Sequence, residues 1–387
     1  MKVELPSVRP ANTPPRISNP LSDEALSVST VAGEFRCERY RMEEGIQAGS
    51  ELLLVETDRV RVAICPTRGM SLWRAAIDGL ECGWNSPVPG PVHPSFVPLE
   101  EPSGLGWLSG FDELLVRCGL RSFGAPDFGK NGQLLFPLHG SIGNLPASNV
   151  EIDVDPDHSL LTVSGTVHET RFMQWNLKLQ AAYVIPFGEP EIMVRDQVVN
   201  ASPNPASAQL LYHVNVGKPF LGQNAKLHLE TSRVVARNAH AANDLQSWSQ
   251  YLGPTAGYSE QVYFSEGNAG EGDWSRAILE SAGGDSAFCV HYKTDTLPYF
   301  SQWKNTVAEA DGYVTGLEPG TGFPNPRSFE EEKGRLVELA PGESREFSVN
   351  LRVLSQATEV QRVVSGIDAK GGEIQTAKFD PDWCVAE

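Results

Sequence analysis

The sequence predicts an all-β protein built from antiparallel sheets, with little helix. Short runs of alternating apolar and polar residues recur along the chain, and Gly, Pro, Asn or Asp separates one run from the next. The 36 glycines and 28 prolines are spread over the whole length, which indicates frequent turns and few long helices. Helices do not alternate with strands, so the pattern does not indicate a parallel sheet.

Each predicted strand is an alternating run bounded by turn residues. In chain order the runs are 51–57, 60–66, 160–168, 175–186, 191–200, 209–217, 225–236, 286–293 and 334–354. Within the last run, the segment 341–343 (PGE) is typical of a tight turn. It predicts a hairpin in which 336–339 pairs with 347–354.

One segment has the pattern of a helix. In 355–366 (SQATEVQRVVSG), Ser355 is a candidate N-cap, three valines form an apolar stripe and Gly366 is a candidate terminator. The segment 109–120 (SGFDELLVRCGL) is compatible with either a short helix or a strand.

A single domain is predicted to follow an N-terminal arm. The 387 residues are enough for two domains, but all-β folds often use well over about 200 residues in one body. No internal repeat or low-complexity tract marks a boundary. Residues 1–30, rich in Pro, Ser and Asn, are predicted to be an extended arm, and residues 31–387 one β domain.

The charge favours a small molecule as partner. A formal net charge of -18 argues against nucleic acid and against an anionic membrane surface, because both carry negative charge. A neutral small molecule is least affected by this field, although a local basic pocket can still hold an acid. No stretch approaches the roughly 18 apolar residues of a membrane helix. The first residues contain no apolar run typical of a signal peptide, which predicts a cytoplasmic protein.

The strand 209–217 (QLLYHVNVG) has one unusual face. Side chains alternate across a strand, so His213 and Asn215 lie on the same face, between Leu211 and Gly217. A purely structural sheet would place apolar groups or a solvated charge there, so we expect a polar ligand opposite them. The other face has the composition of a core and comprises Leu210, Tyr212, Val214 and Val216.

Two further segments place ionisable groups beside turns. His139 follows an apolar segment and precedes a glycine, which permits a close approach of the backbone to a ligand. Glu318 ends a strand-like run before a loop rich in Pro and Gly, where a rigid scaffold can present a carboxylate. Tyr299 and Trp303 precede it, and an aromatic ring suits the apolar face of a sugar. Each histidine, taken alone, is also compatible with a structural role.

One carboxylate and two imidazoles form an acid–base set suited to a cyclic hemiacetal. Opening a cyclic sugar removes the proton of the anomeric hydroxyl and delivers a proton to the ring oxygen, so a carboxylate base and an imidazolium acid suffice. This chemistry requires no cofactor, metal or covalent nucleophile. The sequence has no G-x-G-x-x-G before a helix, no P-loop, no H-E-x-x-H and no G-x-S-x-G, and its six cysteines are scattered without a zinc motif.

Four motifs resemble, in the same chain order, landmarks of the aldose 1-epimerases (galactose mutarotases). They are 138–140 (LHG), 212–219 (YHVNVGKP), 297–305 (LPYFSQWKN) and 316–325 (GLEPGTGFPN). The chain resembles more closely an uncharacterised bacterial branch of that superfamily, with 68–79 (RGMSLWRAAIDG) and 114–120 (LLVRCGL) as further matches. The likeness spans roughly residues 50–355. It implies a single large antiparallel β-sandwich of the galactose-mutarotase type.

The resemblance also implies a role for each member of the acid–base set. Glu318 would take the anomeric proton, His213 would protonate the ring oxygen and His139 would position the sugar. An arginine upstream of the first histidine holds the substrate in that family, and Arg117 and Arg121 both match. The other candidates for substrate binding are Asn215, Lys218, Tyr299 and Trp303.

The chain departs from the family pattern at two places. Standard mutarotases have an aromatic–Asn pair shortly after the second histidine, whereas here Asn215 is nearer and Lys218 lies beyond. The substrate-selecting aspartate of the family has no clear counterpart. Lys218 and Lys304 are compatible with solvated surface groups, or with an anionic sugar such as a uronate or a sulfonated or phosphorylated hexose. The sugar and the oligomeric state therefore stay open, a homo-oligomer included.

We expect a cofactor-independent isomerase that interconverts the α and β anomers of a sugar or sugar derivative. Two alternatives remain at this stage. One is a carbohydrate-binding protein without catalysis. The other is a sugar isomerase or lyase on the same scaffold, in which a glutamate–histidine pair moves a proton at carbon.

Overall fold

Strands arranged in three sheets make up most of the regular structure. The computed structural model describes residues 8–10, 26–30, 33–371 and 373–386. These residues form one sheet of 15 strands, one of eight and one of two. The strands are β1 (Val8–Pro10), β2 (Leu26–Thr30), β3 (Gly33–Met42), β4 (Glu51–Glu56), β5 (Val60–Cys65), β6 (Ser71–Ile77), β7 (Leu80–Cys82), β8 (Leu115–Leu120), β9 (Asp127–Phe128), β10 (Leu134–Phe136), β11 (Ala147–Asp155), β12 (Leu160–Arg171), β13 (Trp175–Pro186), β14 (Glu191–Asn200), β15 (Ala206–Val216), β16 (Lys226–Leu229), β17 (Arg233–Ala236), β18 (Gln261–Glu266), β19 (Trp274–Glu280), β20 (Ala287–Lys293), β21 (Tyr299–Asn305), β22 (Val314–Gly320), β23 (Val337–Leu339), β24 (Ser344–Leu354) and β25 (Gln375–Ala377).

The two large sheets pack face to face around one core. The order in the 15-stranded sheet is β1-β3-β4-β5-β6-β8-β15-β22-β21-β18-β17-β25, with β2, β7 and β23 paired at its sides. The order in the eight-stranded sheet is β11-β12-β13-β14-β24-β20-β19-β16. The core contains side chains of both, such as Leu210 and Tyr212 of β15 with Leu179 and Tyr183 of β13. Among the described strands the pairs are antiparallel, apart from β17 with β25. The predicted antiparallel β-sandwich is therefore confirmed.

Helix is sparse in the described residues, as predicted. The α helices are α1 (Ala239–Asn243), α2 (Arg327–Glu332) and α3 (Ala357–Gly371), and the 3₁₀ turns are Gly45–Gln47, Pro66–Arg68, Pro94–Phe96, Gly106–Gly110, Ile142–Asn144, Leu245–Ser247, Glu271–Asp273 and Glu309–Asp311. None of these helices is long and apolar enough to cross a membrane.

Helix α3 confirms the predicted helix but does not end at Gly366. It continues to Gly371, so the terminator was placed too early. Val360, Val364 and Ile367 pack against buried residues of the eight-stranded sheet. This packing outweighs the cost of roughly 1 kcal/mol for a glycine inside a helix. The ambiguous segment 109–120 contains strand β8.

The strands on either side of 341–343 lie in different sheets, so the predicted hairpin is wrong. The turn itself is present, because the Glu343 N–H donates to the Ala340 carbonyl at 3.0 Å. Strand β23 pairs with β15, whereas β24 pairs with β14 and β20. The Asn200 side chain donates to the Leu339 and Ala340 carbonyls and holds this crossing between the sheets. Alternation alone does not distinguish these partners from a local hairpin.

The predicted N-terminal arm, residues 1–30, falls mostly outside the described residues. The described parts of it, Val8–Pro10 and Leu26–Thr30, both pair antiparallel with β3. The boundary between an arm and a single domain at residue 30 stays a prediction.

All six cysteines are buried as free thiols. They come from both large sheets and from the C-terminal segment. Burial raises the pKa of each thiol, for example to about 12 for Cys37 and to about 11 for Cys384.

A buried ion pair links the two large sheets. Arg117 of β8 donates from Nε and Nη2 to the carboxylate of Asp196 on β14, at 2.5 and 2.9 Å. The same guanidinium donates to the Tyr183 hydroxyl at 2.8 Å, and the Tyr212 hydroxyl donates to Asp196 at 2.8 Å. Both charged side chains are 0% exposed. Each charge is therefore paired inside the sandwich, where an unpaired one would be very unfavourable.

Replacing Asp196 by Asn is expected to destabilise the fold strongly. The variant keeps the side-chain size but leaves the Arg117 guanidinium without a counter-charge in the core. We expect the free energy of unfolding to fall by about 3–5 kcal/mol, measured by urea unfolding with tryptophan fluorescence. Asp153→Asn, at an exposed position of β11, is the control and should change it by less than about 0.5 kcal/mol. Equal effects of the two substitutions would contradict the role of the pair.

Candidate active site

Strand β15 lies between β8 and β22 and is buried on both faces. The alternation predicted from the sequence holds: the face with Tyr212 joins the core between the sheets. The opposite face carries His213 and Asn215, which are 4% and 0% exposed. Two aromatic residues of the 3₁₀ region around 106–111, Trp107 and Phe111, cover this second face.

Register places Glu318 beside His213. Leu317 of β22 is opposite Val214 of β15, so the next residues on the outer face are neighbours. The distance from His213 Nε2 to Glu318 Oε1 is 3.2 Å, and Glu318 is 3% exposed. Gly316, two residues earlier on the same face, leaves the space that the carboxylate occupies, because a Cβ there would collide with Oε1.

His139 approaches the pair from a turn. Its backbone φ of 58° is in the left-handed region, which lets the chain reverse and brings the ring towards β15. The Nδ1–H donates to the Phe123 carbonyl at 2.8 Å, which leaves Nε2 free of that contact. The centres of the His139 and His213 rings are 5.1 Å apart, with the rings nearly perpendicular.

Aromatic rings enclose the three ionisable side chains. The centres of the Phe111 and Trp303 rings lie 5.1 and 5.7 Å from that of His213. The Trp107 ring is 4.5 Å from that of His139. Trp303 is partly exposed, so the enclosure reaches the surface on that side.

The hydrogen bonds of Asn215 determine which nitrogen of His213 carries a proton. The Asn215 amide nitrogen donates to the carbonyls of Glu113 and His213, at 3.0 and 3.2 Å. Its oxygen therefore faces His213 Nδ1, at 2.7 Å, and this nitrogen must be the donor. In the neutral imidazole, Nε2 then carries a lone pair 3.2 Å from Glu318 Oε1, an oxygen with no hydrogen-bond partner among the described residues. A neutral imidazole and an ionised carboxylate would repel each other there, which favours one proton on the pair.

Burial supports the same proton count. Burial away from solvent is the main reason that the pKa of Glu318 is raised to about 8. The nearby Glu260 carboxylate also raises this pKa, and the Arg237 guanidinium lowers it. Burial, followed by repulsion from His139, holds the pKa of His213 well below its usual value. Burial also lowers the pKa of His139 to about 4. At neutral pH the site thus carries a single proton on the Glu318–His213 pair.

Of the nine residues predicted for the site, five lie together. These are His139, His213, Glu318, Asn215 and Trp303. Asn215 is buried behind His213, where it orients the imidazole.

The other four predicted residues lie elsewhere. Arg117 is on the inner face of β8, in the ion pair described above. Lys218 is exposed and paired with Glu309. Tyr299 packs against Phe323, with ring centres 4.8 Å apart. Arg121 stacks on Trp175 in a separate cleft. Lys304, which is not one of the nine, is also buried away from the cluster, where its ammonium donates to the carbonyls of Ser247 and Gln250.

Two charged residues near the site were not predicted from the sequence. Glu260 precedes β18 and accepts a hydrogen bond from Trp303 Nε1 at 2.6 Å. Arg237 follows β17, and its backbone N–H donates to the Val262 carbonyl at 3.0 Å. Val262 is opposite Trp303, so Arg237 is on the face that carries the site. The sequence places both at strand ends, but only the pairing of β17, β18 and β21 brings them here.

No metal centre is indicated among the described residues. Across residues 8–10, 26–30, 33–371 and 373–386, no group of three or more His, Cys, Asp or Glu side chains is arranged to hold a metal ion.

Comparisons with known proteins agree with this fold. A crystal structure of "a putative aldose 1-epimerase" from Klebsiella pneumoniae is 31% identical, with a TM-score of 0.89 over 95% of this chain and 96% of that one. A galactose mutarotase-like protein from Clostridium acetobutylicum is 15% identical, with a TM-score of 0.55 over 81% of this chain and 98% of that one. One from Lactobacillus casei is also 15% identical, with a TM-score of 0.51 over 78% and 100%. Among curated proteins there is no match.

A family profile provides the assignment. The profile described as "Domain of unknown function (DUF4432)" matches residues 47–353, which include every residue of the site described above. The chain therefore belongs to the DUF4432 family, and its fold is that of the aldose 1-epimerases and galactose mutarotase-like proteins.

Proposed function

We propose that this protein is an aldose 1-epimerase-like isomerase that interconverts the α and β anomers of a sugar without a cofactor. The observation that carries the proposal is the 3.2 Å contact between His213 Nε2 and Glu318 Oε1 in an enclosure walled by aromatic rings. In the proposed reaction, this pair exchanges protons with the sugar bound beside it. The 31% identity to the Klebsiella pneumoniae protein supports the same reaction class.

Ring opening starts from the charge-separated form of the pair, in which the proton that burial places on Glu318 at rest has passed to His213 Nε2. The Glu318 carboxylate accepts the proton of the anomeric hydroxyl while His213 Nε2 donates a proton to the ring oxygen. The two sugar oxygens are bonded to the same carbon, so two protein atoms 3.2 Å apart are suitably spaced for both. The C1–ring oxygen bond breaks, and C1 becomes the aldehyde carbon. The pair ends as a carboxylic acid and a neutral imidazole.

Ring closure restores the pair. Rotation about the C1–C2 bond presents the other face of the aldehyde to the hydroxyl that formed the ring. His213 then takes the proton of that hydroxyl, and Glu318 returns its proton to the new anomeric oxygen. No proton is gained from or lost to solvent over the cycle, which fits a site that holds one proton in a buried pair.

The surrounding residues have positioning roles in this proposal. Asn215 fixes Nδ1 of His213 as the protonated nitrogen and so keeps Nε2 available to the ring oxygen. His139 is held by the Phe123 carbonyl and offers Nε2 to a sugar hydroxyl. The partly exposed Trp303 offers an aromatic surface to the apolar face of the ring.

Glu318→Gln and His213→Gln are each expected to reduce catalysed anomer exchange by on the order of 10²- to 10⁴-fold, because each removes one proton-transfer group. Exchange is measured by NMR on a sugar whose exchange the unmodified protein accelerates. His158→Gln, at an exposed turn, is the matched control and should leave the rate unchanged. Full activity in the Glu318 variant would contradict the proposal. Deuterium from solvent appearing on a sugar carbon would instead indicate proton transfer at carbon.

The pH profile should be bell-shaped, because only the pair with one proton contains both an acid and a base. Above the Glu318 pKa of about 8, the proton is lost and no acid remains. Below the lowered pKa of His213, a second proton binds and no base remains. We expect kcat/KM, corrected for uncatalysed exchange, to fall above about pH 8 and again at a pH well below 6.5. A rate that keeps rising beyond pH 8 would contradict the shared proton.

The raised pKa of Glu318 also predicts a pH dependence of stability. Between pH 4.5 and about 8 the folded protein retains a proton that the unfolded chain releases, so this group weakens folding as the pH rises through that window. Glu318→Gln removes this dependence. From pH 5 to pH 7, the free energy of unfolding of the unmodified protein should fall by about 1–3 kcal/mol relative to that of the variant, in urea titrations. Glu332→Gln, at an exposed position, should behave as the unmodified protein.

A further inference from the structure

A second cleft lies on the far side of the His139 turn. Its volume is about 660 Å³, within the range of small-molecule sites. Pro137 and Gly140, the residues near His139 on either side of the turn, form part of its lining. The residues of the cleft that matter here are Arg121, Ser122, Phe136, Glu169, Arg171 and Trp175.

Two arginines in the cleft are held by aromatic rings and have no acceptor. The Arg121 guanidinium lies 3.6 Å from the centre of the Trp175 ring and 4.8 Å from that of Phe136. The Arg171 guanidinium lies 5.5 Å from the centre of the Trp175 ring. Neither makes a hydrogen bond or salt bridge to any of the described residues. A guanidinium packed by its flat face presents its N–H edge, which matches carboxylate and phosphate oxygens.

The one buried carboxylate nearby is already used. Glu169 accepts hydrogen bonds from the backbone N–H groups of Leu120 and Arg121, at 2.7 and 3.2 Å. Its other oxygen accepts from the Ser141 hydroxyl at 2.8 Å. Glu169 therefore makes no hydrogen bond or salt bridge to a guanidinium of the described residues, although its charge attracts that of Arg121.

One further polar group of the cleft, the Ser122 hydroxyl, is unused by the described residues and points to a ligand. The Ser122 hydroxyl is 1% exposed, lines the cleft and has no partner within the described part of the chain. A third arginine, Arg327, donates to the Arg121 carbonyl and to the Ser207 hydroxyl and repels the Arg121 charge. Arg121 and Arg171 share the lining with the carboxylates of Glu100 and Glu169, so the cleft offers guanidinium N–H groups without an acceptor among the described residues rather than an excess of positive charge.

We propose that this cleft binds the carboxylate or phosphate group of an anionic sugar, and that such a sugar is the substrate class of the enzyme. The volume has room for a sugar attached to the anionic group, and the unused hydroxyl of Ser122 suits a polyhydroxylated ligand. This inference rests on the proposed anomer exchange for the link between ligand and reaction, but not for the binding itself.

Binding is tested by calorimetry on the full chain with four probes: D-glucuronate, D-glucose 6-phosphate, D-glucose and inorganic phosphate. We expect at least one anionic sugar to bind at least roughly tenfold more tightly than glucose, and more tightly than inorganic phosphate. The first two probes distinguish a carboxylate from a phosphate. Raising the salt concentration should weaken the binding. Equal affinity for glucose and both anionic sugars, or no binding of either anion, would overturn the proposal.

Variants locate the binding. Arg171→Gln changes an exposed residue, and Arg121→Lys keeps the charge but loses the planar fork; each should weaken binding of the anionic sugar by roughly 10- to 100-fold. Arg362→Gln, an exposed arginine on α3, makes the same charge change as Arg171→Gln and should have no effect. Circular dichroism checks that each variant is folded. Unchanged affinity in both cleft variants would place the anion elsewhere and contradict the proposal.

Measurements on the Glu318→Gln variant separate this site from the proposed reaction. This variant should bind the anionic sugar as the unmodified protein does while anomer exchange is lost. Tight anion binding by a protein that exchanges no anomers would leave the cleft in place and remove the proposed function. Anomer exchange with no preference for anionic sugars would leave the proposed function in place and remove the anion site.

Discussion

The ion pair between Arg117 and Asp196 is the interaction on which the arrangement of the site depends. It joins the two large sheets through strands β8 and β14, and the Tyr212 hydroxyl binds the same carboxylate. Because side chains alternate, fixing Arg117 and Tyr212 inward turns their neighbours outward. His213 therefore faces the covering aromatic residues, with its strand anchored from behind. On β15 the core residue Tyr212 and the site residue His213 are consecutive.

Burial determines the chemistry of the outer face. Aromatic rings around His213 and Glu318 remove water, and this both disfavours charge and leaves one proton for two groups. In water the carboxylate would be ionised and unable to return a proton at neutral pH. The same exclusion of solvent that raises the pKa of Glu318 weakens the folded state between pH 4.5 and about 8. At the edge of the site, the Glu260 carboxylate strengthens this effect on Glu318 and the Arg237 guanidinium opposes it.

The features that could be predicted from the sequence are those set by short-range pattern. The two faces of β15 follow from alternation alone, and the order of short motifs led to His139, His213 and Glu318. Features set by distant pairing could not be predicted. The partner of β23 is β15 rather than the adjacent β24, and Arg237 reaches the site only across β18 and β21. Alternation places Arg117 on the opposite face of β8 from Val116 and Cys118, but it does not show which of the two faces points into the core.

The burial of all six thiols has a practical consequence. A thiolate is the form that reacts with alkylating reagents, and here each sulfur is both shielded and held protonated. Modification must then wait for the surrounding strands to separate. Cys118 lies beneath the aromatic cover of one sheet and Cys289 lies in the other sheet under α3, so the order in which they are modified records which half of the sandwich opens first. The rate at which each cysteine is modified thus reports how readily the strands around it separate.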